Sequence, residues 1–332
     1  GPRIVRSLRR AGFPVVGAHP RGEPGGRSRG CARPVRYPSP TAEPARFLGA
    51  VARICRERRI AAIVPVDEDI VRLLAERGDE VPGPVVVGPD AHQYRTLCDK
   101  RALAETAHAL GLDVPATIEV GPDGPDGPWP ALPSIVKPRT SRSDVARPRI
   151  VATADERDAC VAELMAGGHT ALVQERVVGS RWVVHSVRAP GVFEHVAFRV
   201  LDEWPRTAGP AGVMRPEPAP AGVVETVRRL LDHVDYRGPS GVSVLASGDR
   251  RYAHDANLRF GHGGGLGQRR LRPPPPGRRD GPRARRGTLR GRARPGDLHA
   301  PRLRARGAGR RHAAGATGAR RCRSCGARRR SA

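Results

Sequence analysis

The chain has 332 residues, 38% of them hydrophobic, and a formal net charge of +26, so it is long enough for two domains of ordinary size. We recognise no signal peptide and no apolar run of the roughly 18 residues that cross a membrane, which predicts a protein without membrane-spanning helices. Six scattered cysteines form no disulfide framework, and this predicts a reducing, cytoplasmic location.

The first 97 residues alternate between helical and strand patterns. Apolar spacing predicts helices over residues 4–11, 47–58 and 69–76, and buried strands over residues 14–18, 60–66 and 85–87. Residues 19–44 are rich in Pro, Gly and Arg and are predicted to be a loop. Alternation of this kind indicates a parallel sheet with helices on its faces. Because such a domain normally opens with a strand, we predict that its first strand is missing.

The middle of the chain is predicted to form a long helix, followed by extended segments, two further helices and two antiparallel strand pairs. One long helix is predicted over residues 90–112, with Asp90 as its N-cap and Gly111 at its end. The later elements are predicted as extended segments over residues 115–120, 133–138, 149–153 and 171–178, helices over 154–166 and 223–234, and strand pairs 182–188 with 195–201 and 241–245 with 251–257.

The last predicted strand carries a polar pattern. Asp255, Asn257 and Arg259 occupy every second position, so a strand would place them on one face. An acid, an amide and a cation together suit a hard metal ion that bridges phosphates. A polar edge strand followed by a glycine-rich loop is the alternative interpretation.

The positive charge is concentrated after this strand. Residues 269–332 contain 22 arginines and two aspartates, whereas the preceding 268 residues together carry only +6. Of these 64 residues, 50 are Arg, Ala, Gly or Pro, which predicts a disordered tail. Nucleic-acid binding through the tail is disfavoured because it has no aromatic residue and no motif. A GC-rich reading frame shifted out of register would produce the same mixture.

Four segments, in order, resemble the ATP-grasp superfamily, specifically the branch of the carbamoyl-phosphate synthase large subunit and related carboxylate–amine ligases. They are CDKRALAETAHALGLDVP, PSIVKP, ALVQERVVG and DANLRFGHGGGL. The resemblance covers about residues 45–268. It implies a Rossmann-like α/β domain over residues 1–97 and an α+β ATP-grasp domain over residues 98–268. The lobes of the latter would be residues 98–170 and 171–268, with ATP between them.

The resemblance also implies a nucleotide site. Lys100 and Lys137 would bind the α- and β-phosphates, and they are the only two lysines in the chain, which has 57 arginines. The hinge that receives adenine would include Gln174, Glu175 and Val177.

A metal and two arginines complete the implied site. Asp255 and Asn257 would hold Mg²⁺, or Mn²⁺, between the β- and γ-phosphates. Arg259 would stabilise the reacting phosphoryl group, and Arg199 is the second catalytic candidate, with Arg206 as its competitor. The implied reaction is activation of a small carboxylate as an acyl-phosphate, followed by ligation to an amine or similar nucleophile.

Several positions depart from the family pattern. Ser243 stands where a metal-binding carboxylate usually lies, and the segment TSRSD at residues 140–144 lacks the usual glycines. No ribose-binding acid follows Gly179, and Leu258 replaces the usual proline. A degenerate protein that binds nucleotide without catalysis is therefore an alternative to an active ligase.

Overall fold

The computed structural model describes residues 2–20, 34–141, 147–204 and 209–261. Within these ranges the chain forms two small parallel sheets and two five-stranded sheets. The predicted tail, residues 269–332, and the candidate Arg206 lie outside the described ranges. Every helix among the described residues is too short or too polar to span a lipid bilayer.

The described residues of the N-terminal part contain three α-helices and four short strands. These are α1 (Pro2–Arg10), β1 (Ala18–Pro20), β2 (Val35–Tyr37), α2 (Pro44–Arg58), β3 (Ala62–Ile63), α3 (Glu68–Arg77) and β4 (Val85–Val86). The predicted parallel pairing is confirmed, because β1 pairs with β2 and β3 pairs with β4 in parallel. The prediction of a loop over residues 19–44 was wrong for β2. There the buried Tyr37 packs edge-to-face on Phe47, with ring centroids 5.0 Å apart.

The predicted long helix over residues 90–112 is in fact two helices, α4 (Ala91–Cys98) and α5 (Lys100–Ala109). Asp99 separates them with an extended backbone (φ −82°, ψ 121°), and its side chain accepts hydrogen bonds from the first turn of α5. Aspartate is among the best N-cap residues, so the break has a local cause. Its consequence is that Lys100 becomes the first residue of a helix.

The first five-stranded sheet is antiparallel and is covered on one face by a helix. Its strands are β5 (Thr117–Gly121), β6 (Gly124–Pro125), β7 (Ser134–Pro138), β8 (Arg149–Val151) and β9 (Ala171–Glu175). The covering helix is α6 (Ala154–Ala166). Val136 and Val173 form a core with Leu164 of α6. Strand β9 is the central strand, between β5 and β7, so a lobe boundary after residue 170 would cut this sheet. The change of sheet falls between Glu175 and Ser180.

The second five-stranded sheet is also antiparallel. Its strands are β10 (Ser180–Ala189), β11 (Val192–Glu203), β12 (Ala211–Pro216), β13 (Gly238–Ser247) and β14 (Arg250–Asn257). The covering helix is α7 (Val223–His233). Both predicted strand pairs are confirmed. Strand β12 was not predicted; it lies at the edge of the sheet and is mostly exposed, so it lacks an apolar signature. The face toward α7 is apolar and includes Trp182, Val242 and Val244.

Candidate functional site

Lys137 lies on the face of the first sheet opposite α6. Its neighbour Val136 packs in the α6 core, and successive strand residues point to opposite faces. The Lys137 Nζ donates a hydrogen bond to Gln174 Oε1 at 2.9 Å, and Gln174 Nε2 donates to Thr117 Oγ1 at 2.7 Å. Lys137 is only 5% exposed, and burial lowers its pKa to about 7, with the charge of Lys100 acting in the same direction.

Lys100 approaches the same place from the start of α5. Its Nζ donates to Ser141 Oγ at 2.7 Å and lies 3.8 Å from Asp255 Oδ1. The side chain is buried, with 7% of the residue exposed. A buried ammonium at a helix N-terminus is costly unless an anion is near, and Asp255 is the single acid within ion-pair distance of it among the described residues. The two lysines of the chain thus meet at one site.

The second sheet contributes the polar strand β14. Asp255 lies directly opposite Ser243 on β13, and Asn257 lies opposite Gly241. Asn257 Nδ2 donates to Asp255 Oδ2 at 2.9 Å, and Arg259 donates from Nη2 to Asn257 Oδ1 at 3.0 Å. The structure therefore brings together the acid, the amide and the arginine that the alternating pattern placed on one face.

The ionisation of Asp255 reflects its cationic surroundings. Burial acts to raise the pKa of Asp255, but the groups around it, of which Lys100 acts most strongly, outweigh burial and hold the pKa below its ordinary value. An ionised carboxylate is thus available on the site face of β14, in reach of a divalent cation.

Sequence reasoning missed His254, because it sits at a β-bulge. Ser243 pairs with Asp255, but the next residue on β13, Val244, pairs with Ala253, which leaves His254 as the extra residue. Alternation alone would have sent His254 and Asp255 to opposite faces. Burial, followed by Arg181 and Lys137, lowers the pKa of His254 to about 3, so this imidazole is neutral at physiological pH.

Sequence reasoning also missed Glu68, the first residue of α3. Arg259 Nε donates to Glu68 Oε2 at 2.8 Å, and the Tyr94 hydroxyl donates to Glu68 Oε1 at 3.1 Å. Burial raises the pKa of Glu68, while the charge of Arg259 opposes that shift. The contact joins residues 191 positions apart, so no local pattern could have shown it. Glu68 holds Arg259 in a fixed orientation toward Asn257.

Arg199 does not reach the site. It pairs with Trp182, which pairs in turn with Val244, so all three share the face toward α7 rather than the face of Ser243. Its side chain is 46% exposed and lies 3.7 Å from Glu217. Arg199 is therefore removed from the set of site residues.

Arg181 is the arginine that β10 does present on the site face. It precedes Trp182 and so points the opposite way. Its guanidinium donates to Glu203 Oε1 and to the Gly209 carbonyl, both at 2.9 Å. The positively charged side chain of Arg181 thus lies two residues after Gly179, at about the position where the ATP-grasp resemblance implies a ribose-binding acid.

The predicted hinge residues divide between the two faces of β9. Gln174 shares the face of Lys137, whereas Glu175 points to the opposite face, where its Oε2 accepts a hydrogen bond from the Ala116 amide at 3.2 Å. Val177 lies beyond the end of β9, in the connection to β10. Any contact that Glu175 makes with a ligand on the lysine face would have to come from its backbone.

The metal-binding side chains at this site suit a metal ion only if a bound nucleotide supplies most of the coordinating oxygens. Within the described residues, no group of three or more His, Cys, Asp or Glu side chains could hold a metal ion. Asp255 provides one carboxylate and Asn257 one amide on the same face. Mg²⁺ in nucleotide sites typically takes one or two protein carboxylates together with phosphate oxygens and water. The residues present therefore fit a metal ion that arrives with a triphosphate.

Comparison with solved structures identifies the fold. The L-amino acid ligase from Bacillus licheniformis matches with a TM-score of 0.65 and 16% identity over 79% of this chain and 65% of that one. A biotin carboxylase–β,γ-ATP complex from Campylobacter jejuni matches with a TM-score of 0.61 and 14% identity over 80% of this chain and 64% of that one. An ADP complex of N5-carboxyaminoimidazole ribonucleotide synthetase matches with a TM-score of 0.59 and 12% identity, over 79% and 68%.

These proteins are ATP-grasp enzymes, so the resemblance to the ATP-grasp superfamily is confirmed at the level of the fold, whereas its assignment to one branch stays a prediction. The chain spans just under two thirds of the length of the first two. No protein-family model matches the sequence, and a search of curated proteins finds no match.

Proposed function

We propose that this chain binds ATP together with a divalent cation at the place where Lys137 and Lys100 meet Asp255, and uses the ATP to join a small carboxylate to an amine or similar nucleophile. The observation that carries the proposal is the meeting of the only two lysines, both buried, with the ionised Asp255. Burying cations without a matching number of acids is costly, and a bound triphosphate would supply the missing negative charge.

Each group has a role in this scheme. Lys100 and Lys137 bind phosphate oxygens, and Asp255 with Asn257 holds the cation, which neutralises charge on the phosphoryl group that is transferred. Adenine lies against the connection between β9 and β10, near Gln174 and the backbone of Glu175 and Val177. The chain would thus divide into an N-terminal α/β domain over residues 1–97 and an ATP-grasp domain over residues 98–268.

Arg259 serves the carboxylate half of the reaction. The carboxylate oxygen attacks the γ-phosphorus, ADP leaves, and the amine then displaces phosphate from the acyl-phosphate. Negative charge accumulates on the phosphoryl oxygens in the first step, and a guanidinium fixed by Glu68 stabilises it without reorganisation.

The solved relatives support the nucleotide part of the proposal. A biotin carboxylase is described with β,γ-ATP, and a 2-oxoglutarate carboxylase domain from Hydrogenobacter thermophilus with MgADP and bicarbonate. We place this chain closest in chemistry to the carboxylate–amine ligases, with the carbamoyl-phosphate-synthase-like branch as the expectation from its motifs.

One observation favours a second candidate function, nucleotide binding without turnover. Ser243 lies directly opposite Asp255, so the neighbouring strand position offers a hydroxyl where a second carboxylate would hold the cation. A weakly held cation would permit binding while slowing phosphoryl transfer.

Calorimetry with ATP tests the binding step. Lys137→Ala should weaken ATP binding by about 1.5–3 kcal/mol, the range for a charge-assisted hydrogen bond. Arg149→Ala, at an exposed position on β8 of the same sheet, is the matched control and should bind as the parent does. Equal ATP affinity in the parent and in Lys137→Ala would remove the lysine from the site.

A turnover assay separates the two functions. ADP release should depend on both a carboxylate and an amine, tested over a panel of small carboxylic acids and amino acids. ATP binding without carboxylate-dependent ADP release would favour the second candidate, and a parent protein that binds no ATP would overturn both.

A further inference from the structure

The bulge in β14 places an imidazole on the site face beside the metal-binding acid. Val244 and Ala253 are paired and both lie in the apolar core against α7. His254 follows Ala253 and so points away from that core, and Asp255 pairs with Ser243, which also points away from it. Two consecutive side chains of one strand therefore share the site face, which a regular strand cannot achieve.

One ring nitrogen of His254, Nε2, has no hydrogen-bond partner among the described residues. This nitrogen is buried. The charged groups that act on the imidazole are Arg181, Lys137 and Lys100, which are cations, and Asp255. A buried polar atom with no partner is unfavourable, and in native proteins such an atom often marks the binding place of an ion, a water molecule or a ligand.

The same place in the sheet is short of one metal donor. Asp255 is the only carboxylate on the site face of the β13–β14 pair, and its cross-strand neighbour Ser243 adds no charge. An imidazole nitrogen is a common metal ligand in proteins. The unpartnered Nε2 of His254 thus belongs to the residue next to Asp255, where the metal site lacks a ligand.

We propose that His254 is a ligand of the nucleotide-bound metal ion, together with Asp255, and that the site consequently binds transition-metal ions such as Mn²⁺ in preference to Mg²⁺. This inference rests on the proposed function, because the ion arrives with the triphosphate. Mg²⁺ favours all-oxygen coordination, whereas divalent first-row transition metals accept imidazole nitrogen readily.

Electron paramagnetic resonance of the full-length protein with Mn²⁺ and a non-hydrolysable ATP analogue tests the assignment. The electron-spin-echo envelope should show coupling of Mn²⁺ to a directly bound nitrogen. Labelling the protein with ¹⁵N-histidine should change that coupling to the ¹⁵N pattern, which separates a histidine ligand from a nitrogen of adenine. The parent protein alone gives this result, so it does not depend on the folding of any variant.

Two variants locate the nitrogen and test the preference. His254→Ala should lose the nitrogen coupling and bind Mn²⁺ at least tenfold more weakly, with a smaller change for Mg²⁺, since loss of even an indirect ligand contact costs about 10- to 100-fold. His108→Ala, exposed on α5, is the control and should match the parent.

The outcomes distinguish this inference from the proposed function. Bound Mn²⁺ without histidine coupling, or coupling that survives in His254→Ala, overturns the assignment of His254 and leaves nucleotide binding intact. Absence of any bound Mn²⁺–nucleotide complex overturns both.

Discussion

Replacing Lys137 by methionine should stabilise the nucleotide-free protein below about pH 7, and the gain should shrink as the pH rises. Burial lowers the pKa of Lys137 from 10.5 to about 7 in the folded protein. The unfolded chain keeps the higher value and so binds more protons between these two pH values. The stability of the parent therefore rises with pH across this window. The cost of burying the charged lysine is complete below the folded-state pKa and absent above the unfolded-state pKa. Methionine has no charge to bury.

The two pKa values set the size of the effect. One pH unit corresponds to about 1.4 kcal/mol, so the fully developed penalty is on the order of several kcal/mol. From about pH 6 to about pH 9, the stability advantage of methionine should fall by about 2–3 kcal/mol. Loss of the hydrogen bond to Gln174 lowers the stability of Lys137→Met by about 1 kcal/mol at both pH values, so the change of the stability difference with pH stays the same.

Urea unfolding of the parent and of Lys137→Met at both pH values measures this change directly. Arg53→Met, at an exposed position of α2, is the matched control, because it removes a charge that pays no burial penalty. Its stability difference from the parent should stay constant within about 0.5 kcal/mol. If the methionine advantage at Lys137 is also constant with pH, the lysine is not held in a shifted ionisation state and the reasoning is refuted.

Three further substitutions test other parts of the site. Ser243→Asp should strengthen Mg·ATP binding and weaken binding of metal-free ATP, which paired titrations with Mg²⁺ and with a chelator would show; an unchanged Mg²⁺ dependence would mean that Ser243 is not beside the cation. Glu68→Gln should leave ATP affinity unchanged within about twofold but lower stability by about 1.5–3 kcal/mol through its charged contact with Arg259, measured by urea unfolding and calorimetry. Gly179→Ala should lower the thermal unfolding temperature, because its Cβ would clash with the Ala246 carbonyl oxygen; an unchanged temperature would show that the turn adapts.

Local pattern was sufficient for much of the second sheet. The alternating polar pattern predicted that Asp255, Asn257 and Arg259 lie together; Asp255 and Asn257 share a face of β14, and Arg259, just beyond the strand, reaches Asn257 by a hydrogen bond. The hairpin turns were predictable because glycine occurs at Gly191 and Gly248 with positive φ, a conformation that other residues rarely adopt. These signals depend only on neighbours in the sequence.

The remaining features depend on contacts or irregularities that periodicity does not encode. The bulge at His254 arises from the pairing of β14 with β13, so it is invisible in either strand alone. Arg199 was assigned from its place in the chain, yet the register with Trp182 sends it to the other face. Glu68 reaches the site across a large sequence separation. Asp99 is the exception, since its capping preference was a readable local signal that the strong helical pattern around it concealed.

The most direct test of the account is a crystal structure of the full-length protein with a non-hydrolysable ATP analogue and a divalent cation. The account predicts that phosphate oxygens lie within about 3 Å of the Nζ atoms of both Lys100 and Lys137, with the cation on Asp255. A nucleotide bound elsewhere, or one whose phosphates leave both lysines in their present contacts with Ser141 and Gln174, would contradict it.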